Sequence, residues 1–159
     1  LTLRPAVRSV AVLLVDGNNV MGAAADGWWR DRPAAVRRLL VRLQCLGQPL
    51  VLVLDVPQAD LPEGDHDGVR VVYATRRGRD AADDRIRELV SAGDEVVTSD
   101  RALRSDAEAA GYKPAPANAL LLGLAIYALA VLLVALDHVR PNPISHRAKT
   151  GFRLGPPVG

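Results

Sequence analysis

Three apolar runs in this 159-residue chain each end in an aspartate: VLLVD at Asp16, LVLVLD at Asp55 and VVTSD at Asp100. Taken singly, an Asp after a strand is more often a turn residue or a helix N-cap than a ligand. Three in one parallel sheet mean more, because the ligand crevice of an open α/β sheet lies beyond the carboxyl ends of its strands, where these acids would converge. A fourth acid, Asp83, is expected to join them from a helix. Carboxylates within a few ångströms repel one another unless one holds a proton or a cation lies between them. The natural occupant is a hard divalent metal, Mg2+ or Mn2+. Such a centre suits phosphodiester hydrolysis, since the metal lowers the pKa of a bound water and stabilises charge developing on the phosphate and leaving oxygen.

Other chemistries lack their residues. The chain has no GxSxG elbow, no Cys and His arrangement around Cys45, and no GxxxxGK[ST] or GxGxxG phosphate loop, so no small-molecule cofactor is expected. His66, His138 and His146 are scattered through presumed loop and tail and read as exposed residues without a role. The lone Cys45 excludes an intrachain disulfide and any thiol cluster for zinc, which fits a reducing, cytoplasmic setting. The apolar run at 10–15 is too short for a signal-peptide core, so export by a cleaved signal is not expected. The first residue, Leu1, fits either a fragment or a non-standard start.

The elements that must position the acids alternate strand and helix, the pattern of a parallel sheet covered by helices on both faces. Strands are expected at 10–15, 50–54, 69–74 and 95–99, whose continuous Val and Leu runs predict burial on both sides. A long helix should run from Pro33 to Leu46 and stop at Gly47, burying Val36, Leu39, Leu40, Leu43 and Leu46 while Arg37, Arg38 and Arg42 meet solvent. A second should run from Asp80 to Gly93 on a stripe of Ala82, Ile86, Leu89 and Val90. At ~100° per residue Asp83 falls at the margin of that stripe, while Asp80 and Asp84 point further toward solvent. A third helix follows Asp100 and closes at Gly111, and 55–67, with Pro57, Pro62 and Gly64, reads as a loop.

The segments VDGNNVMG at 15–22, DGWWRDR at 26–32, DAADDRI at 80–86 and VVTSDRAL at 96–103 together resemble, in order and spacing, the NYN domain of the bacterial YacP-like group. The resemblance covers residues 10–111. It implies a PIN-like fold and a metal-dependent ribonuclease acting on RNA. By position it makes Asp16 the leading metal ligand, has Asn18 or Asn19 orient the phosphate or a metal-bound water, and equates Asp83 and Asp84 with the helix acids and Asp100 with the acid of the TSD motif. The expected metal set is thus Asp16, Asp55, Asp83, Asp84 and Asp100, with Asp16, Asn19, Asp83 and Asp100 catalytic. Asp80, at its helix start, has a plain capping role. Thr98 and Ser99 have two even readings, hydrogen-bonding the metal shell or satisfying nearby backbone, and Ser99 is kept with Asn18 as a substrate contact. Trp28 and Trp29 suit stacking on unpaired bases, with Arg30 and Arg32 meeting phosphates, although one tryptophan is expected to anchor its loop on the core.

Charge divides the chain near Gly111. Residues 1–112 hold 15 Arg and no Lys against 17 acids, a net charge of −2, whereas 113–159 hold five basic residues against Asp137, a net charge of +4. The first part lacks the strongly basic footprint of an autonomous RNA binder, so delivery of RNA through a partner such as a ribosome is expected. From Pro114 to Leu136 there are 23 uncharged residues, of which 117–136 would span ~30 Å as one apolar helix. The domains are accordingly read as 1–111, nuclease, and 112–159, an atypical segment without the family's final strand. Three readings of that segment are open: a membrane anchor, a hydrophobic hairpin that completes the domain, or an altered reading frame.

Two other functions compete, and a third rival, an interaction protein held at a membrane by residues 117–136, is compatible with the first reading and concerns location. A catalytically impaired NYN-type domain, attached to a membrane through 117–136, would bind RNA without cutting it. A phosphatase of the haloacid dehalogenase type also places an Asp after its first strand, but needs an acid two residues on, where this chain has Asn18.

Overall fold

The computed structural model describes residues 10–24, 26–78 and 80–139, with side chains as far as Leu136. Its strands are β1 (Leu13–Asp16), β2 (Leu50–Leu54), β3 (Gly64–His66), β4 (Val69–Tyr73), β5 (Glu95–Val97) and β6 (Lys113–Ala115). Its helices are α1 (Gly17–Ala23), α2 (Arg32–Gln44), α3 (Ala81–Leu89), α4 (Arg101–Ala110) and α5 (Ala117–Val139), with one 3-10 turn at Trp28–Arg30. The sheet order is β3-β4-β2-β1-β5-β6, parallel throughout except for β3. This is the expected α/β architecture with an antiparallel edge. β1 is central, between β2 and β5, so its final residue, Asp16, opens at the point where the strand order reverses direction.

Successive strand residues face opposite sides, and two apolar clusters result. Leu13, Val15, Leu52 and Leu54 pack with Val20 and Met21 of α1, with Val36, Leu39 and Leu43 of α2, and with Ala117 and Leu124 of α5. On the other side Leu14, Val53, Val72 and Val96 meet Ala82 and Ile86 of α3 and Leu103 of α4. At about 1.5–3 kcal/mol for each fully buried aliphatic side chain, these two faces supply most of what orders the site.

Several elements depart from expectation. The segment 55–67 is not all loop, because residues Gly64–His66 pair with β4. α3 stops at Leu89, short of Gly93, because Val90 turns extended and Asp94 accepts the Ser91 N–H at 2.8 Å and the Val12 N–H at 2.9 Å, tying the turn to the start of β1. The final strand does exist: β6 pairs in parallel with β5, and its Pro114, which has no N–H to give, is tolerated at a sheet edge. The chain divides into compact units at Leu1–Ala125 and Ile126–Gly159, so the expected break at Gly111 falls inside the first unit. Within that unit the start of α5 closes the core through Ala117 and Leu124, with Leu120 and Leu121 partly buried. In the second unit Ile126, Leu129, Leu132, Leu133 and Leu136 are all exposed. The stretch Ala117–Leu136 is long and apolar enough to cross a membrane, with a mean hydropathy of 2.8.

Candidate active site

Asp16 ends β1 and caps α1. Its Oδ1 accepts the Asn19 backbone N–H at 3.1 Å, while Oδ2 accepts from the Asn19 side-chain amide and from the Thr98 hydroxyl at 3.3 Å. The residue is 1% exposed. Burial raises its carboxyl pKa above the usual range and the charge of Asp55 adds to this, against the hydrogen bonds from Asn19 and Thr98. Gly17 makes the turn from β1 to α1 possible: a Cβ there would lie 2.6 Å from Leu54 Cδ2 and 3.1 Å from the Val53 carbonyl. A side chain there would have to displace Leu54 and crowd the Val53 carbonyl.

That close approach lets Asn18 reach Asp55. The Asn18 amide donates to Asp55 Oδ2, its carbonyl accepts from Arg32 Nη2 at 2.6 Å, and Arg32 lies 3.8 Å from the same carboxylate. Asp55 Oδ1 accepts the backbone N–H of Ala82 at 3.1 Å. Burial raises the Asp55 pKa, partly offset by the Ala82 bond and Arg32. Arg32 also sits 5.9 Å over the ring of Trp28, which packs against the core and anchors its loop, as one tryptophan was expected to. Trp29, edge-on to Trp28 at 6.3 Å, is 64% exposed, and Arg30 beside it is exposed.

From the other side, Asp100 caps α4 by accepting the Leu103 N–H at 2.9 Å, and the Thr98 hydroxyl that donates to Asp16 accepts the Asp100 N–H at 3.1 Å. Thr98 thus satisfies nearby backbone, one of its two readings, and the same hydroxyl also bonds Asp16. Asp83, half-buried on α3, has its pKa pushed up to about 6 by burial and by the charges of Asp16 and Asp100, with Arg87 opposing. Asp83 is half-buried and Asp80 exposed, as the helical phase predicts, but Asp84, expected further toward solvent, is half-buried too. Ser99, Asn18 and Asn19 line a groove of about 450 Å³ along α1.

Other assignments change. Asp84 is held in ion pairs by Arg76 and by Arg87, the latter at 3.1 Å. Asp80 occupies the N-cap position of α3, yet its side chain makes no cap bond, and Asp55 reaches across from β2 to take that part. Among the described residues no three acids, histidines or cysteines converge as a metal shell. Of the five expected carboxylates, Asp16 is engaged by Asn19 and Thr98, Asp55 by Ala82 and Asn18, Asp84 by two arginines, and Asp100 by its helix cap. The charges of Asp16 and Asp100 both act on Asp83. His66 Nε2 is 2.7 Å from the Pro62 carbonyl. His146 and the side chain of His138 lie outside the described residues. The sequence reading missed Arg76 and Arg77, although the arginine run TRRGRD at 75–80 was a visible signal.

No family model and no curated protein matches the chain. Among solved structures, the crystal structure of Rae1 (YacP) from Bacillus subtilis is similar with a TM-score of 0.61 and 22% identity, over 80% of this chain and 81% of that one. Its W164L mutant is similar with a TM-score of 0.64 and 20% identity, over 87% of each chain. The chain has a YacP-like fold. The match to Rae1 is longer than residues 1–111, so it extends into the segment after Gly111, in keeping with β6 and the first turns of α5 as part of the domain.

Proposed function

We propose that the chain is a metal-dependent endoribonuclease whose centre is formed by Asp16, Asp83 and Asp100. The observation that carries this reading is geometric: the Thr98 hydroxyl links Asp16, at the end of β1, to Asp100, at the N-cap of α4, and the charges of both reach Asp83 of α3, whose carboxyl is pushed up to about 6 by burial first and by those charges second. The fold shared with Rae1 (YacP) and the YacP-like motifs support it. Asp16, Asp83 and Asp100 would hold Mg2+ or Mn2+, which when bound supplies an activated water and charge stabilisation at the phosphate. Asn19 orients Asp16 with two donors, Asn18 and Arg32 hold Asp55 against α3, and exposed Trp29 offers a stacking face to an unpaired base. The full chain should cut a single-stranded RNA in Mn2+ or Mg2+ and not in EDTA. RNA binding with no cutting under any metal would instead establish the binding-module reading.

Two proposals concern delivery. The weak net charge of the catalytic part leaves RNA capture to a partner such as a ribosome, testable by co-sedimentation. The exposed apolar side chains from Ile126 to Leu136 cover the helix all round, and acyl chains cover every side where a protein partner covers one. Full-length protein should therefore float with phosphatidylcholine vesicles; recovery in the soluble fraction overturns this.

A further inference from the structure

A cavity of about 490 Å³ opens at the carboxyl ends of β2 and β4, lined by Asp55, Val56 and Pro57 from one loop and Arg76, Arg77 and Gly78 from the other. Asp55 belongs both to this cavity and to the network at the candidate centre, so the two adjoin. Its carboxylate is engaged by Ala82, Asn18 and Arg32, which leaves the two loop arginines to set the sign of the cavity's charge. Arg77 is exposed, and Val56 is 54% exposed beside Pro57. Arg76 is held by Asp84, which also pairs with Arg87, and Arg87 reaches Asp106 of α4 at 2.8 Å. A guanidinium has five N–H donors in a rigid fork, so Arg76 pinned through one edge still presents donors to an anion.

The cavity's volume lies in the range of ligand pockets, and its make-up is cationic on one loop and apolar on the other. We infer that it is a nucleotide subsite. Arg76 and Arg77 take the phosphate next to the scissile one, and Val56 and Pro57 take the apolar face of its sugar and base. Asp84 is a positioning residue that aims Arg76 and not a metal ligand. This inference rests on the RNA-cleaving reading above.

The test measures a fluorescent single-stranded RNA on the full-length protein, by anisotropy in EDTA and by steady-state cleavage in Mn2+. Both arginines are exposed, so Arg76→Gln/Arg77→Gln keeps the fold, checked by circular dichroism. That variant should raise Kd and KM by about tenfold or more and shrink the slope of log Kd against log salt by ~0.7 for each phosphate it no longer neutralises. Arg76→Lys/Arg77→Lys should restore the salt slope and only part of the KM, because a lysine keeps the charge and lacks the fork. Asp84→Asn should raise KM with the Mn2+ concentration for half-maximal rate unaltered. A wild-type KM and salt slope in the double Gln variant would refute the subsite and leave the nuclease standing. A raised Mn2+ requirement in Asp84→Asn would return that residue to the metal. Wild-type protein that neither binds nor cuts RNA removes both readings.

Discussion

The carboxylate of Asp55, at the end of β2, accepts a 3.1 Å hydrogen bond from the backbone N–H of Ala82, in the first turn of α3. A residue just past a strand thereby caps a helix that begins 26 residues later, in place of Asp80 at the helix's own N-cap position. The bond ties α3, which carries Asp83, to the sheet that carries Asp16.

Asp55→Ala should destabilise the fold by about 1–3 kcal/mol, because it leaves the part-buried Ala82 N–H and the Asn18 side-chain amide without their acceptor. Asp55→Asn retains an acceptor and should lose less. Urea denaturation gives the difference, and Mn2+ titration calorimetry should show little change in affinity in either variant. Loss of Mn2+ binding in Asp55→Asn would make Asp55 a ligand.

Asp16→Asn should abolish cleavage by at least about a hundredfold, the upper end of what losing mere outer-shell support costs. Stability should change little, since Asn caps a helix as well as Asp does and a buried charge is removed. Cleavage and thermal melting on the same preparation check both halves. Wild-type turnover in Mn2+ would exclude Asp16 from the centre.

Asp83→Asn should stabilise the metal-free protein at neutral pH while abolishing cleavage. The folded state holds the Asp83 proton up to about pH 6, whereas the unfolded chain releases it near 3.8. The folded state therefore binds more protons between those values, and the Asp83 contribution turns unfavourable as pH rises through that window. Asn escapes this cost, so its Tm advantage should be full above pH 6 and vanish below about pH 4. Melting curves from pH 3 to pH 8 in EDTA test the trend. In wild type, Mn2+ affinity should weaken as pH falls through 6, since the ligand must be ionised.

Gly17→Ala should cost about 1–3 kcal/mol, since its Cβ would press on Leu54 and on the Val53 carbonyl, where only the leucine can yield. The same displacement moves Asn18 away from Asp55, so cleavage should fall along with stability. An alanine variant with wild-type Tm would show that the turn has room to shift.

The strands β1, β2, β4 and β5 were legible because a buried parallel strand needs nothing but a run of Val and Leu; β2, β4 and β5 lie within their expected runs, and β1 starts inside its run and ends one residue beyond it, at Asp16. α2 was equally plain: Val36, Leu39, Leu40 and Leu43 are buried at helical spacing, and Gly47, at φ +61, stands just past its end. Helical phase also placed Asp83 toward the sheet, because the periodicity of an α-helix is a property of the chain itself.

Tertiary structure decided what depended on a partner far along the chain. β6 has three residues and a proline, with no apolar pattern to show. It exists because Lys113 N–H finds the Asp94 carbonyl at 3.0 Å and the Ala115 carbonyl accepts the Thr98 N–H at 3.0 Å. β3 likewise forms only against β4. The five acids that strand ends and motifs together had grouped were divided by their neighbours: Asp55 went to a helix cap and Asp84 to two arginines, while the charges of Asp16 and Asp100 still reach Asp83. Residue type and order determine which acids stand at strand ends. Which partners engage each of them is set by the tertiary structure, since the Thr98 hydroxyl on Asp16 and the Ala82 N–H on Asp55 come from elements the local sequence does not contain.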